Sequence, residues 1–584
     1  MEAAFEALYP TAQKREQGVV YTPPHITDYL VREGMKMGGR LFGKTTRICD
    51  PCCGGAAFIL AAARYLEKQH GVPPESALQE HIWGFDCDEA ALENTQVLAE
   101  LFLAQRGRPL HGVRLNLHRC DVFTLDVEKF LPEVGVPDGF DLVATNPPYV
   151  KLQNLPDAYR SELIERYTGL ASGSFSLAML FLIAAQELLS SKGCLAVITQ
   201  NNLFTSLAAE EVRRRLQTKR SIRRVVDFGH QKVFPNASAY TCLIFITDTP
   251  KSDIEYDVIR EPVTQRTLDG MTFSSVPYEG LEPGKWRLAK TRDLDCLRRI
   301  EQAGTPLGEL APIRVGFATL KDRVFLVEKH RDVILARSLS GALVEIESEI
   351  TKPAVKIADM DSESSFDGNR LHIICPYERR GGRSRLFTED EMRKRFPLAL
   401  AYLRECQPLL ASRDKGNKTY DGWYAWGRTQ GMEATGPKLL TKTFSKGPNF
   451  MLDPSDQLFC NGYAVFPPSA TLFGPALPIE ALQRILNSVV MFFFARMTSF
   501  QIEGGYECYQ KNFIERFGIP RLETHESSAL ARMAQSEADY WLCKRYGLDA
   551  DYLNEALAIS PFGPEDAVAD ELPVDRAQSF GVTV

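Results

Sequence analysis

Asn146-Pro147-Pro148-Tyr149 follows directly on the apolar run FDLVAT. Two consecutive prolines cannot continue a sheet ladder or begin a regular helix comfortably, so this loop is stiff and extended. A stiff loop carrying an amide has a chemical use. The Asn146 side-chain carbonyl and the Pro147 backbone carbonyl can both accept hydrogen bonds from one planar NH2 group. Two such acceptors pull an exocyclic amine toward tetrahedral geometry, localise its lone pair and aim it at an electrophile. Tyr149, next in the chain, can stack on the base that carries the amine. A purely structural Pro-Pro turn is the competing account, and three acids upstream weigh against it.

Those acids stand at the ends of three successive apolar runs. TRICD (46–50) ends in Asp50 and enters PCCGGAAF, HIWGFD (81–86) ends in Asp86, and RLNLHRCD (114–121) ends in Asp121. Small residues such as Cys52 and Gly54, after Pro51, let backbone approach a ligand where a helix N-terminus adds positive potential. The spacing is not GxGxxG and no P-loop lysine follows, so NAD and ATP fit poorly. Asp50 suits a positively charged amino group, and Asp86 suits ribose hydroxyls. Asp121, beside Val122 and Phe123, suits the exocyclic amine of an adenine. A row of carboxylates favours a cationic nucleoside and repels a polyphosphate. Helix capping by each aspartate is the alternative.

The elements that must position these residues alternate between residues 45 and 250. Strands are expected at 46–50, 81–86, 114–121, 140–146, 194–200, 222–228 and 239–247. Helices are expected over 57–69, 89–105, 176–190 and 207–219. Alternation of this kind argues for an open, doubly wound α/β sheet with helices on both faces. The last two strands have no helix between them and should pair antiparallel at an edge. Beyond residue 250 the rhythm gives way to short strands with Pro and Gly, and 261–286 reads as a linker. The end of the chain is acidic and contains proline, which fits disorder.

The order of YTPPHITDYLV (21–31), DPCCGGAAF (50–58), GFD (84–86), CDVF (120–123) and NPPY (146–149) resembles the gamma class of adenine-N6 DNA methyltransferases, the TaqI-like group. The resemblance implies a Rossmann-like S-adenosylmethionine-dependent methyltransferase domain over 1–260. A C-terminal α+β target-recognition domain over 261–520 and a helical, acidic tail over 521–584 would follow. It implies that the motif Tyr21-Thr22-Pro23 closes over S-adenosylmethionine. Asp50, Pro51, Cys52 and Gly54 would hold its amino-acid part, Asp86 and Cys87 its ribose, and Asp121, Val122 and Phe123 its adenine, with Asn146 beside it. Phe234, in FGHQKVFPNASAYT (228–241), matches the aromatic that stacks on the other face of the target base. Ala56, Cys52 and Gly55 depart from the family's usual loop residues, but all are small.

The activity implied is site-specific methylation of adenine N6 in double-stranded DNA, in a restriction–modification, defence or epigenetic role. The target base must leave the duplex, at roughly a few kcal/mol, and stacking between Tyr149 and Phe234 would return about 1–3 kcal/mol per base–aromatic contact. NPPY loops also occur in enzymes that methylate RNA bases or protein glutamine amides, so those acceptors are the alternative. They lack the leading Thr-Pro motif and the large C-terminal region. Lys151 and Gln153, just after NPPY, are expected near DNA. So are Arg428 in WYAWGRTQ (423–430) and Lys511 in GGYECYQKNFIERFGIP (504–520), which look like recognition segments.

The densest basic cluster is Arg213, Arg214, Arg215, Lys219, Arg220, Arg223 and Arg224, with a solvated helix face as the bland alternative. Further clusters are Arg379, Arg380, Arg383 and Arg385, and the run 415–418. A net charge of -7 excludes a uniformly basic binder but not a local basic face. The 13 scattered cysteines fit reduced thiols in the cytoplasm. Cys49 and Cys52 have CxxC spacing without a second pair, so no metal is expected. No membrane span and no fused nuclease are expected. A monomer with a separate restriction endonuclease as partner completes the expectation.

Overall fold

Strands β1 (Ile48–Asp50), β2 (Ile82–Asp86) and β4 (Phe140–Thr145) are buried at every residue. Continuous burial of this kind belongs to parallel strands covered on both faces. The structure, a computed structural model, describes residues 21–39, 42–108, 113–170, 175–229, 231, 233–234, 240–259, 262–380, 383–416, 420–432, 435–468, 477–502 and 504–558. The acidic end over 559–584 and most of the run 415–418 lie outside what is described, as do the side chains of Arg380 and Arg383. Two compact units divide between Leu294 and Asp295.

The first unit adds β3 (Asn116–Arg119), β5 (Leu189–Gln200), β6 (Ile222–Asp227), β7 (Thr241–Thr247), β8 (Asp253–Val258) and β9 (Ser274–Pro277). Its helices include α1 (Pro24–Met37), α2 (Ala57–His70), α3 (Glu89–Ala104), α4 (Asp157–Arg166), α5 (Leu177–Ala184) and α6 (Glu210–Lys219). One sheet runs in the order β3-β2-β1-β4-β5-β7-β6-β8-β9. Strands β1 to β5 pair in parallel, and β7 lies antiparallel to both β5 and β6. This is the open, doubly wound α/β sheet that the alternation of strands and helices leads one to expect. Strand order reverses between β1 and β4, and ligands of such sheets bind outside the strands' carboxyl ends at that switch point. Asp50 ends β1 and Asn146 follows β4.

Helix α1 fixes the entrance to the site. Pro23 and Pro24 open it, where missing N–H groups leave no bond unmade. A Cβ at Gly34 would meet Leu142 Cδ1 at 2.5 Å and Ala196 Cβ at 3.0 Å, so only glycine lets α1 lie this close to β4 and β5. Helix α2 is entered through Gly54 (φ +37°) and Ala56 (φ +60°), the tight turn that brings backbone N–H groups to the strand ends.

Several expectations are revised. The runs at 222–228 and 239–247 do pair antiparallel, but they do not form an edge. β8 pairs parallel with β6, and β9 antiparallel with β8. The segment DIEYDV alternates charged residues with Ile254 and Tyr256, which is the period-two pattern of a half-buried strand. The expected linker 261–286 therefore contains the sheet's outermost strand. The helix expected over 176–190 stops at Ala184, passes through a 3-10 turn to Leu188, and yields to a β5 longer than the apolar run alone.

The second unit is α+β. A four-stranded sheet orders Ile313–Val315, Gly462–Val465, Lys438–Lys442 and Phe450–Asp453. A six-stranded sheet runs from Leu343–Ile346 through Val333–Arg337, Leu326–His330, Leu371–Ile374 and Thr351–Lys356 to Leu458–Cys460. The helices Thr524–Arg532, Gln535–Tyr546 and Ala550–Ala558 place Leu530, Leu542, Tyr546 and Leu553 in one core with Ile300, Phe494 and Phe517. They are part of this unit's core rather than a detached tail.

Candidate active site

The strand ends hold the acids by local backbone geometry. Asp50, 2% exposed, accepts the Cys52 N–H at 3.1 Å. Burial pushes its carboxyl up to about 7. Asp86 accepts the Gly54 N–H through Oδ2 and the Asp88 N–H through Oδ1, both at 3.0 Å, and burial raises its carboxyl too. The two acids are thus tied to one loop, since Gly54 belongs to the turn that leaves Asp50. Thr95 of α3 donates to the Gly54 carbonyl at 2.8 Å and braces that turn from behind. Carboxylates raised by desolvation gain when a cation enters beside them.

Asp121 accepts the Phe123 N–H at 3.0 Å, and the Tyr159 hydroxyl donates to its other oxygen at 2.6 Å. Val122 and Phe123 are buried beside it. Tyr167 donates to the Phe123 carbonyl at 3.0 Å, and Arg166 reaches the Thr124 carbonyl at 3.2 Å. Helix α4 and its C-terminal residues therefore clamp the whole segment 121–124. Sequence reasoning missed Tyr159, because a lone tyrosine in a polar helix carries no periodic or motif signal.

At the end of β4, Asn146 Nδ2 donates to Thr22 Oγ1 at 3.1 Å. Thr22 is buried, and this bond turns Asn146 Oδ1 the other way. Among the described residues that oxygen is buried and accepts no hydrogen bond. The leading Thr-Pro motif and NPPY are thus in contact, with Thr22 orienting the amide. Tyr149 donates to the Ile198 carbonyl of β5 at 3.3 Å, which fixes its ring against the sheet. The loop leaves through paired backbone: the Leu177 N–H donates to the Val150 carbonyl and the Leu152 N–H to the Phe175 carbonyl.

Phe234 is brought to Tyr149, with ring centroids 6.4 Å apart, but the planes are tilted by 53°. A ring stacked between two others needs roughly 7 Å and parallel faces, from contact separations of about 3.5 Å on each side. One ring must turn to admit a base. Phe234 is buried, and its loop is anchored at the base by Asp227, which accepts from the Gly229 N–H at 2.9 Å and from the Asn201 amide at 3.2 Å.

Of the other expected contacts, Lys151 and Gln153 are exposed on the turn just past NPPY. Arg428 lies in the second unit, its backbone paired with Ala318 in both directions at 2.8 and 3.2 Å. Lys511 is exposed there, 4.0 Å from Glu515. Tyr21 and Pro23 flank Thr22, Pro51 is buried after Asp50, and Cys87 is exposed after Asp86. Among the described residues no three His, Cys, Asp or Glu side chains converge as metal ligands, and no helix is long and apolar enough to cross a membrane.

Part of the basic cluster spanning α6 and β6 is committed to contacts within the protein. Arg213 is fully buried and donates to the carbonyls of Leu203, Ser206, Pro283 and Gly284. Burial pushes its guanidinium down to about 10. Arg214 pairs with Glu210 and Glu211, and Arg224 with Glu33 and Glu255. Arg385 is likewise paired, with Glu378 and Glu391. Acidic neighbours three or four residues away, or across a strand, neutralise charges that look free in a linear reading.

Comparison with known proteins places the chain among restriction-modification enzymes by likeness. Residues 80–234 match the family described as Eco57I restriction-modification methylase. The chain is similar to the Type II restriction enzyme and methyltransferase RM.Eco57I of Escherichia coli, 21% identical over 88% of this chain. It spans 58% of that protein's length. The Type II methyltransferase M.BstVI of Geobacillus stearothermophilus is 23% identical over 87% of this chain and 90% of its own. Among solved structures, the Type IIL restriction-modification enzyme MmeI in complex with DNA aligns with a TM-score of 0.59 at 13% identity, covering 96% of this chain and 78% of that one. The fold is therefore shared with that enzyme across nearly the whole described chain, and residues 80–234 match the Eco57I restriction-modification methylase family.

Proposed function

We propose that the chain is a site-specific DNA adenine-N6 methyltransferase of a restriction–modification type, using S-adenosylmethionine. The observation that carries this reading is the buried Asn146 Oδ1, an acceptor without a donor among the described residues, held by the Thr22 bond at 3.1 Å. The donor set fits the cofactor. Asp50 and Asp86, both raised by burial, suit its cationic amino-acid part and its ribose, and Asp121 with Val122 and Phe123 suits its adenine. Bound there, S-adenosylmethionine supplies an electrophilic methyl group.

The chain's own residues do the rest. Asn146 Oδ1 and the Pro147 carbonyl accept the two hydrogens of the target amine and hold its lone pair toward the crevice. Tyr149 and Phe234 receive the extruded ring once one of them has turned. Asn146 is an amide and takes no proton, so rate comes mainly from positioning and from excluding water. Lys151 and Gln153 reach the neighbours of the extruded base, and Arg428 and Lys511 contact DNA from the second unit. A monomer acting in the cytoplasm, with a restriction endonuclease as partner, completes the reading, and the names of the curated relatives support the restriction–modification part.

Methylation mapping of genomic DNA from cells expressing the chain tests it. The expected result is N6-methyladenine at one short motif, and none with Asn146→Ala. Modified cytosine, or modification of RNA or protein alone, overturns the base assignment.

A further inference from the structure

The second unit contains a cavity of about 510 Å3 at the end of the segment 504–520, built from residues that the methyl-transfer site does not use. It is lined by Arg299, Gln302, Arg521, Arg545 and Tyr546. Arg299 comes from the helix Thr291–Gln302, Arg521 follows the strand Gly518–Pro520, and Arg545 and Tyr546 end the helix Gln535–Tyr546. The walls are fixed by hydrogen bonds. The Tyr546 hydroxyl donates to the Gly518 carbonyl at 2.8 Å. Arg299 Nη1 donates to the Gly547 carbonyl, and Arg545 Nη2 to the Arg521 carbonyl, each at 2.6 Å.

Gly547 terminates its helix at φ +67°, and a Cβ there would stand 3.4 Å from Arg299 Nη1. Glycine is thus the residue that turns the chain and still admits the guanidinium. Each brace uses one of a guanidinium's five N–H donors and sets the plane of the others. The acid paired with this group is Glu526, 3.7 Å from Arg545. Among the described residues, three arginines against the one paired carboxylate leave excess positive charge in a braced, concave place, which is the arrangement that recognises a tetrahedral polyanion.

We propose that this cavity is a phosphate-binding site, with Arg299, Arg521 and Arg545 as its donors. The phosphate comes either from the backbone of bound DNA or from a free polyphosphate, and the first source rests on the reading of the chain as a DNA enzyme.

The test uses the full chain and two variants. Arg521→Glu changes the member whose side chain supplies neither carbonyl brace and leaves both braces in place, and Arg545→Gln removes the one paired with Glu526. Melting temperature and incorporation of labelled methyl groups confirm that each variant is folded. Binding of a fluorescent duplex of about 30 base pairs is followed from about 50 to 200 mM KCl, because each lost phosphate contact removes about one from the slope of log affinity against log salt. Inorganic triphosphate is titrated calorimetrically in parallel.

If DNA is the source, Arg521→Glu weakens the duplex about threefold or more at the low-salt end and flattens the slope by about one. If a free polyphosphate is the source, the parent binds triphosphate, the variants lose it, and duplex binding keeps its slope. Unchanged slope together with no triphosphate binding by the parent overturns the proposal. Failure of the parent to methylate DNA overturns the functional reading, while the triphosphate titration still decides the cavity.

Discussion

Thr22 and Asn146 stand 124 positions apart and meet through one hydrogen bond, and that bond decides which face of the amide points into the crevice. Thr22→Val keeps the shape and removes the hydroxyl. Losing one such bond costs about 0.5–1.5 kcal/mol, so turnover should fall about 2–10-fold while the KM for S-adenosylmethionine changes little. Thr22→Ser should restore most of the rate. Steady-state transfer of labelled methyl groups measures the split, and a loss confined to cofactor KM would return Thr22 to a purely cofactor-binding role. Asp50 gives a second prediction at this scale. Its carboxyl sits at about 7 without a cationic ligand, above the ordinary value of 3.8, so the native protein holds a proton that the unfolded chain releases. Stability from this group is therefore full below pH 4 and is lost as pH rises toward 7. If Asp50 holds the cofactor's ammonium group as proposed, it does so in the ionised form, so cofactor affinity should rise with pH through 7 and binding should release protons near pH 6.5. Calorimetry in buffers of different ionisation enthalpy reads the proton count. Asp50→Asn should abolish the release, and an unchanged count in that variant would assign it elsewhere.

Helix α4 joins the NPPY exit to the segment after Asp121, and neither its existence nor its role follows from the motif order alone. Tyr159 donates to one oxygen of Asp121 while the Phe123 N–H holds the other, and a carboxylate oxygen can accept a further bond from an adenine amine. Tyr159→Phe should weaken S-adenosylmethionine binding about 2–10-fold, the value of one hydrogen bond, without altering DNA affinity. Equilibrium dialysis with the labelled cofactor decides it, and unchanged affinity would show that the tyrosine only packs. Helix α6 teaches the opposite lesson. Arg213 reads as a phosphate contact but is a strut, satisfying the carbonyls of Leu203, Ser206, Pro283 and Gly284 from full burial. Arg213→Ala should cost about 3 kcal/mol or more in urea unfolding, because it orphans buried acceptors. Arg213→Lys should not rescue it, since a lysine lacks the planar fork. What was legible in the chain follows from this contrast. Asp50 and Asp86 could be found because each ends a buried strand, and Asn146 and Asp121 because they follow within two residues of a strand, where breaker residues mark the strand end locally. Tyr159, the tilt between Tyr149 and Phe234, and the fate of Arg213 depend on partners far away in sequence, such as Asp121 and Gly284. The strand Asp253–Val258 was hidden for another reason, since its charged alternate residues resemble a loop when the sheet it joins is not known.

At the scale of the whole molecule, each apolar core formed by the described residues lies within one unit. The clusters around Phe85, Phe140 and Ile244 and around Leu30, Leu142 and Phe245 end by Trp286, and those around Phe494, Phe325 and Leu440 begin at Cys296. A unit with its own core unfolds as its own cooperative step. Scanning calorimetry should therefore resolve two transitions. The acids proposed to hold the cofactor all belong to the first unit, so S-adenosylmethionine should move only one of the two. At about 100 times its Kd the ligand adds about 2.7 kcal/mol to the state that binds it, and for a unit of this size that corresponds to an upward shift of about 5 °C or more. Inorganic triphosphate, if it fills the arginine cavity, should raise the other transition and leave the first in place. The two ligands thus label the two units independently, and the assignment can be checked with Asp50→Asn, which should remove the first shift alone. A single transition that both ligands raise would mean that the units fold as one. In that case the cores, though separate in residue content, would not be separate in free energy, and substitutions such as Arg213→Ala would lower the melting of the second unit as much as the first.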